Sequence, residues 1–431
     1  MIVKRSTLRR LLPSSSSNAW VGVCAALAIP AAANAQQVIA PPPPEFTARP
    51  PVDPLAGPGA EAQPDAITSA LGAGEGALQW VVTHLHPHIL YRFLYGDGIQ
   101  ALPGVQVKTA IHELYPGVSL NIGKQLNVAY TPVIRVYSSE ALEDTFDQAV
   151  SLGWHTIYRD WSFALNSNYS LTSQPLVETG AQTETESIAT GANAVWAMNQ
   201  SMALELGLMH NLQLLSGEVE GQRLNDYQTF STMDWLNYTF APGLSAAIGV
   251  GGGYDDVSAG TDMTFEQVRA RVSWRVQRRL NLVASGGAES RQFLDSEAQD
   301  NIAPVYSGSA VYQLFEPTRV FVSGAHTISP SYFADELSEA TEVSAGIQQR
   351  LFGKLVLNLS AGYRLTSYAT TAGNLQVTRE DESTFVNGRL STVLFKRASI
   401  ALLYQWSENT SDEAQYQYHS NQIGFEIGYR F

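Results

Sequence analysis

The sequence has a single cysteine, Cys24, and five lysines in 431 residues. Cys24 lies inside an N-terminal stretch that reads as a secretory signal. Lys4, Arg5, Arg9 and Arg10 form its basic region, Trp20 to Ile29 its short apolar core, and Ala33-Asn34-Ala35 a small-x-small cleavage site before Gln36. The residues before Cys24 make a poor lipobox, so a lipoprotein is not predicted. Cleavage would leave a chain without cysteine, which excludes disulfides. It would also remove four basic residues and take the formal charge from −14 to −18. A chain that acidic argues against a nucleic-acid partner. No uninterrupted apolar run reaches the roughly 18–20 residues of a spanning helix. A membrane crossing by this chain must therefore use a closed sheet, the other arrangement that pairs every backbone polar group in lipid. Helical repeats long enough for a second domain are absent as well.

What is present falls into three parts: the signal over 1–35, a Pro/Ala-rich linker over 36–77, and a strand-forming region over 78–431. In the linker, Pro41 to Pro44, Pro50-Pro51 and Pro54 leave no room for a helix or a central strand. It reads as an extended, disordered periplasmic spacer, or as an arm that binds a periplasmic export partner. Ser69 to Leu78 reads as a short helical turn or a partial plug.

From about Val81 onward, apolar residues recur at every second position, the period of an extended strand. The last stretch is the clearest. Ile423, Phe425, Ile427, Tyr429 and Phe431 share one face, and Gln422, Gly424, Glu426, Gly428 and Arg430 share the other. Ile89, Tyr91, Phe93 and Tyr95 form a similar face near the start. Tight turns are predicted near Lys124, Arg159, Asn199, Pro242, Arg278, Pro317, Gly353 and Lys396. Between them lie longer polar connections: 173–184, 216–226, 255–262, 294–301, 329–339, 370–382 and 408–417. Short turns on one side and long loops on the other are the asymmetry of a bacterial outer-membrane barrel, with the turns in the periplasm. The fold class is thus all-β, a single antiparallel transmembrane β-barrel of about 18 strands, or about 16 if His112 to Pro116 is loop. Aromatics near strand ends, among them Tyr158, Trp161, Tyr363, Trp406 and Tyr429, fit interfacial girdles.

The polar faces carry the candidate site. Arg269, Arg271, Arg275, Arg291, Arg350, Arg364, Arg389 and Arg430 all fall on inward registers, with Glu205, Glu289, Glu342 and Glu426. A water-filled lumen accommodates these charges where a filled core would not. Two readings stand side by side: rings that bias which solutes pass, or Arg–Glu pairs that brace a crowded lumen. His84, His86 and His88 alternate on one face, with His112 further on. They read as a metal site or, more plainly, as rim residues, and no metal or cofactor is expected. The acidic loops, such as Asp255-Asp256 with Asp262, show no regular calcium-ligand spacing. His155 and His210 lack an evident serine–acid constellation, so the chain is not expected to be an enzyme.

The chain also resembles the bacterial β-barrel porin type 2 family, which is associated with exopolysaccharide synthesis and export. The resemblance covers about Leu78 to Phe431. It is clearest over Thr384 to Phe431: Asn387-Gly388-Arg389, a basic turn, the strand with Tyr404-Gln405-Trp406, a Ser/Asn loop, and Ser420-Asn421 opening the closing strand. The resemblance implies an outer-membrane pore that passes hydrophilic solutes, with polysaccharide export among the roles of that family. An occluded barrel that anchors a periplasmic partner is the alternative. It further implies lipid, lipopolysaccharide and the barrel assembly machinery as partners, and Phe431 as the terminal insertion signal.

Overall fold

The computed structural model describes residues 84–431, apart from 124, 220, 277–278, 295, 297 and 372–374. The signal, the linker and residues 78–83 lie outside the described residues. Among the described residues twenty strands follow one another: β1 (Leu85–Leu102), β2 (Val105–Ile122), β3 (Leu126–Tyr137), β4 (Thr145–Tyr158), β5 (Trp161–Pro175), β6 (Gln182–Ala197) and β7 (Met202–Ser216). A loop hairpin follows, β8 (Glu218–Val219) with β9 (Gln222–Arg223), and then β10 (Tyr227–Ala241), β11 (Leu244–Val257), β12 (Met263–Val276) and β13 (Leu280–Phe293). The last seven are β14 (Asn301–Phe315), β15 (Thr318–Pro330), β16 (Glu336–Leu351), β17 (Leu355–Thr370), β18 (Gln376–Leu394), β19 (Ala398–Ser411) and β20 (Tyr418–Arg430).

Without the loop hairpin, eighteen strands form one antiparallel meander, and β20 pairs with β1 from His88↔Arg430 to Asp97↔Asn421. That pairing closes the sheet and removes its last edge. Ile423, Ile427 and Tyr429 face outward and Gln422 and Glu426 are buried inside, as the period of two requires. Outward positions on neighbouring strands continue the apolar belt, among them Leu208, Ile248, Val268, Val322 and Leu402. An apolar exterior, a polar interior and an even strand count define a transmembrane barrel of the outer-membrane type.

Both ends of the described chain lie at the rim that carries the shorter turns, two to four residues each, and this rim is periplasmic. Three of its turns place non-glycine residues in the left-handed region: Arg159 (φ 58°), Phe352 (50°) before Gly353, and the pair Phe395 (51°) and Lys396 (66°). Paired positive φ values give the turn a twist that matches the flanking strands.

The opposite rim differs from expectation in two ways. The first hairpin turns within two residues, Pro103 and Gly104, whose φ is 72°. The other connections there span five to ten residues and are shorter than the polar stretches suggest. Strand pairing runs on through 173–175, 182–184, 336–339 and 376–382 because those polar side chains find partners inside the barrel mouth. His112 to Pro116 is likewise strand, within β2.

Candidate functional site: a lumen filled at one end and open at the other

Burial divides the interior by height. Toward the extracellular rim the inward residues form closed cores. One contains Leu94, Ile99, Ile111, Tyr137, Leu142 and Leu403. A second contains Leu176, Leu215, Leu224, Tyr227, Tyr332 and Phe333. Toward the periplasmic rim, inward residues such as Asn166, Asn168, Asn281, Ser309, Gln348 and Arg350 remain exposed. Apart from Leu90, Tyr115 and Val133, which pack together near the closing seam, the lower lumen is water-accessible and the upper lumen is solid.

At the extracellular mouth, loops from nearly opposite sides of the barrel meet. Glu178, in the β5–β6 loop, is fully buried, and its Oε1 accepts hydrogen bonds from Ser331 Oγ and the Tyr332 backbone N–H, both at 2.6 Å. Ser331 and Tyr332 belong to the β15–β16 loop. Arg379 donates to the Glu178 carbonyl at 3.1 Å and lies between the rings of Tyr368 and Tyr416, about 4 Å from each. The Asn225 N–H donates to the Tyr332 carbonyl, which ties in the β7–β10 loop. Burial pushes the Glu178 carboxyl up to about 7, against the opposing pull of the Ser331 hydrogen bond and the Arg379 charge. These contacts make a latched lid.

Midway down, a row of alternating charge crosses the closing seam. Glu426 on β20, Arg92 on β1, Glu113 on β2 and Arg135 on β3 stand directly opposite one another in register. Arg92 meets Glu426 at 2.6 Å and Glu113 at 3.3 Å, and Arg135 meets Glu113 at 2.7 Å. The row continues to Asp147 beyond Arg135 and to Arg389 beyond Glu426. Tyr115 Oη donates to Glu113 at 2.7 Å. Arg92, Glu113 and Glu426 are each only 2 % exposed. The row also crosses a break in the wall. Pro116 and Pro132 would face each other between β2 and β3, and the pairing lapses between Leu114↔Ile134 and Val118↔Tyr130. Proline has no N–H to donate, and the Glu113–Arg135 pair sits on the last paired stretch beside this break.

Two further clusters complete the inner wall. Arg291 is buried between Asp255 and Glu289, over the Phe265 ring, and Gln267 and Thr229 hydrogen-bond the same carboxylates. Arg271 bonds Glu205 and Asn237 and stacks 4.3 Å above Trp235. Trp235 lies against Gly249, where an added Cβ would stand 2.5 Å from the ring; Phe385 lies over Gly362 in the same way. These glycines let the rings lie flat along the wall.

The candidate residues thus have different surroundings. Arg291, Glu289 and Glu426 are enclosed and paired. Arg271 and Arg389 are partly buried and paired. Arg364 bonds Thr366 at 3.3 Å. Arg269, Arg275 and Arg350 have no carboxylate within ion-pair distance among the described residues, and the buried Arg269 Nε has no hydrogen-bond partner. Arg430 ends β20 at the periplasmic rim, beside the exposed Phe431. His112 points outward, where its Nδ1 meets Tyr91 Oη at 2.8 Å, on the opposite face from His88. Among the described residues no group of three His, Cys, Asp or Glu is placed to hold a metal ion. His210 stacks on Phe230 on the outer wall, and its Nε2 has no hydrogen-bond partner. Arg92, Glu113, Arg135 and Asp147 were not among the sequence candidates, although their registers place them inward.

The family model described as "Surface lipoprotein assembly modifier" matches residues 249–431, from within β11 to the end of the chain, which is less than half of its length. Comparison with curated proteins returns no match. Among solved structures the chain is similar to the copper transporter OprC, at 10% identity and a TM-score of 0.40, over 76% of this chain and 62% of that one. It therefore spans less than two thirds of that transporter. It is similar also to the siderophore receptor PirA from Pseudomonas aeruginosa (9% identity, TM-score 0.42, 80% of each chain). A third is OccAB2 from Acinetobacter baumannii (11% identity, TM-score 0.41, 80% of this chain and 98% of that one).

Proposed function

We propose that this outer-membrane barrel is a gated conduit that takes hydrophilic cargo from the periplasm and releases it when the extracellular lid opens. The observation that carries the reading is the asymmetry of the lumen: a basic, water-accessible vestibule below and a latched lid above. Unpaired arginines on the vestibule wall favour cargo with anionic groups. A constitutively open porin would not need the Glu178 latch. Conductance in planar bilayers tests the reading. The wild-type barrel is expected to be closed most of the time, and Glu178→Ala combined with Ser331→Ala is expected to raise the open fraction at least tenfold. A large, steady wild-type conductance, or silence in both proteins, would sink it.

Two cargo classes are consistent with this reading. The family match over 249–431 favours a part in assembling surface lipoproteins, with the protein reached through the periplasmic mouth. The resemblance of Thr384 to Phe431 to porins of the exopolysaccharide-associated family favours an anionic polysaccharide. Loss of surface lipoproteins on deletion of the gene, with exopolysaccharide intact, selects the first; the converse selects the second.

A further inference from the structure

On the inner wall Trp235, Phe265, Phe321 and Phe385 each lie over the glycine directly opposite on the next strand: Gly249, Gly253, Gly346 and Gly362. A Cβ on any of these glycines would collide with the ring. The first two rings are capped on their lumenal side. The Arg271 guanidinium lies 4.3 Å from the Trp235 ring centroid, and that of Arg291 lies 4.8 Å from the Phe265 centroid. Phe321 and Phe385 are not capped: among the described residues no cation lies over either ring. Both are partly exposed, and exposure on an inward register is exposure to the lumen. Covering a glycine accounts for one face of each ring. It does not account for an apolar face left toward water, which is unfavourable unless something binds there.

The two open rings belong to one patch. Gly346 pairs with Ser360, and Gly362 is two residues further along β17, so the glycines beneath the rings are diagonal neighbours about 7–8 Å apart. The side chains around them carry hydroxyls and amides. Ser323 and Ser344 share a hydrogen bond at 2.8 Å, Gln348 donates to Asn358 at 3.1 Å, and Asn387 stands opposite Ser360. Ser323 also pairs with Ser309 on the exposed vestibule wall, which places the patch within reach of solutes. Flat apolar faces set among hydroxyls and amides match the surface of a pyranose. Its C–H face stacks on an aromatic face, and its rim of hydroxyls both donates and accepts hydrogen bonds. An unfolded peptide presents neither a rigid C–H face nor a hydroxyl rim at a fixed spacing.

We propose that Phe321 and Phe385 form a saccharide-binding track on the vestibule wall, each ring stacking on one pyranose while the neighbouring Ser, Asn and Gln side chains hold its hydroxyls. The inference rests on the conduit reading for a vestibule that solutes enter, and it adds the chemistry of what is held there. Equilibrium dialysis of the full chain, folded in detergent, against radiolabelled maltohexaose, cellohexaose and a galacturonate hexamer tests it. At least one of the three is expected to bind saturably. Phe321→Leu with Phe385→Leu should weaken that binding about tenfold, the loss expected for two stacking contacts. Phe321→Tyr with Phe385→Tyr keeps both rings and should restore it. Tyr312→Leu removes a ring from the outer wall and should leave it unchanged. Heat-modifiable gel mobility shows that each variant is folded. Excess glucose should displace the bound probe, and sorbitol, which has the hydroxyls without the ring, should not. Binding that survives the loss of both rings, or that tyrosine fails to restore, overturns the proposal. Equal displacement by sorbitol, or by an unfolded peptide, overturns it too. Maleimide labelling of Asn281→Cys in the same preparation separates the two ways of failing. A reactive thiol without saturable saccharide binding overturns the track and leaves the conduit standing; an unreactive thiol removes the open vestibule on which both rest.

Discussion

The two halves of the lumen use the same residue types to opposite effect. In the outer half and at the seam, arginine is enclosed and paired: Arg291 between Asp255 and Glu289, Arg92 between Glu113 and Glu426. Near the periplasmic rim, Arg275 and Arg350 lie exposed, with no carboxylate at ion-pair distance among the described residues. An enclosed charge is tolerated only with partners, and removing one partner strands the other. A solvated charge makes few structural demands and projects its field into the lumen instead. An arginine on an inward register is therefore a brace or a filter according to what closes over it.

The largest effect that would break this contrast comes from Arg92→Ala. It leaves Glu113 and Glu426 facing each other in the wall and should destabilise the barrel by about 3–5 kcal/mol, read as the shift of the folded-to-unfolded gel transition in urea. Replacing Arg92, Glu113 and Glu426 together by Met, Leu and Leu, with Arg135 and Arg389 kept near Asp147 and water, should recover most of that loss. A single substitution as harmless as an exposed one would refute the bracing role. Next is Gly362→Val, which places a side chain where Phe385 lies and should cost about 1–3 kcal/mol by overfilling; Phe385→Ala in the same chain should relieve it.

The lid gives the intermediate effect. Burial raises the Glu178 carboxyl to about 7 in the closed state, while an open, solvated lid would hold it near the ordinary value of about 4.3. The closed state binds the proton more tightly, so its stability is greatest below the ordinary value and falls as pH rises through about 7. Open probability in bilayers should thus increase from pH 6 to pH 8, and Glu178→Gln should flatten the profile. A rise toward acid pH would contradict the latch. A smaller effect is expected on ion selectivity. Arg275→Glu with Arg350→Glu should turn an anion preference toward cations once the lid is opened, while stability stays within about 0.5 kcal/mol per site. Unchanged selectivity would mean that these two lie away from the narrowest part of the lumen.

The strand pattern was readable almost entirely, because each lipid-facing residue announces itself at a period of two. The eight tight turns at the periplasmic rim were readable from their Gly, Pro and basic residues. The extracellular connections were read too long, since polar residues in 173–184 and 370–382 signal loop when taken alone. Inside the mouth their flanks, 173–175, 182–184 and 376–382, are strand, paired with neighbouring strands. The inward registers of Arg269 to Arg430 were legible too, but the enclosure of Arg291 and the exposure of Arg275 were not. Both read as an arginine at an odd position of a strand, and they differ only in whether Asp255 and Glu289 approach. Arg92 and Glu113 gave the same parity signal and could have been found by pairing the first hairpin about Pro103-Gly104.

By itself the sequence determined the alternation, the strand count, the sidedness and the closing strand, because these depend on local periodicity and on the demand that every backbone group be paired in lipid. Only the tertiary structure decided which charges are braced, how the mouth is shut and where the vestibule begins. Those depend on contacts between residues as far apart as Arg92 and Glu426 or Glu178 and Ser331. Closing the barrel brings such pairs together, and no local pattern in the chain records that they meet.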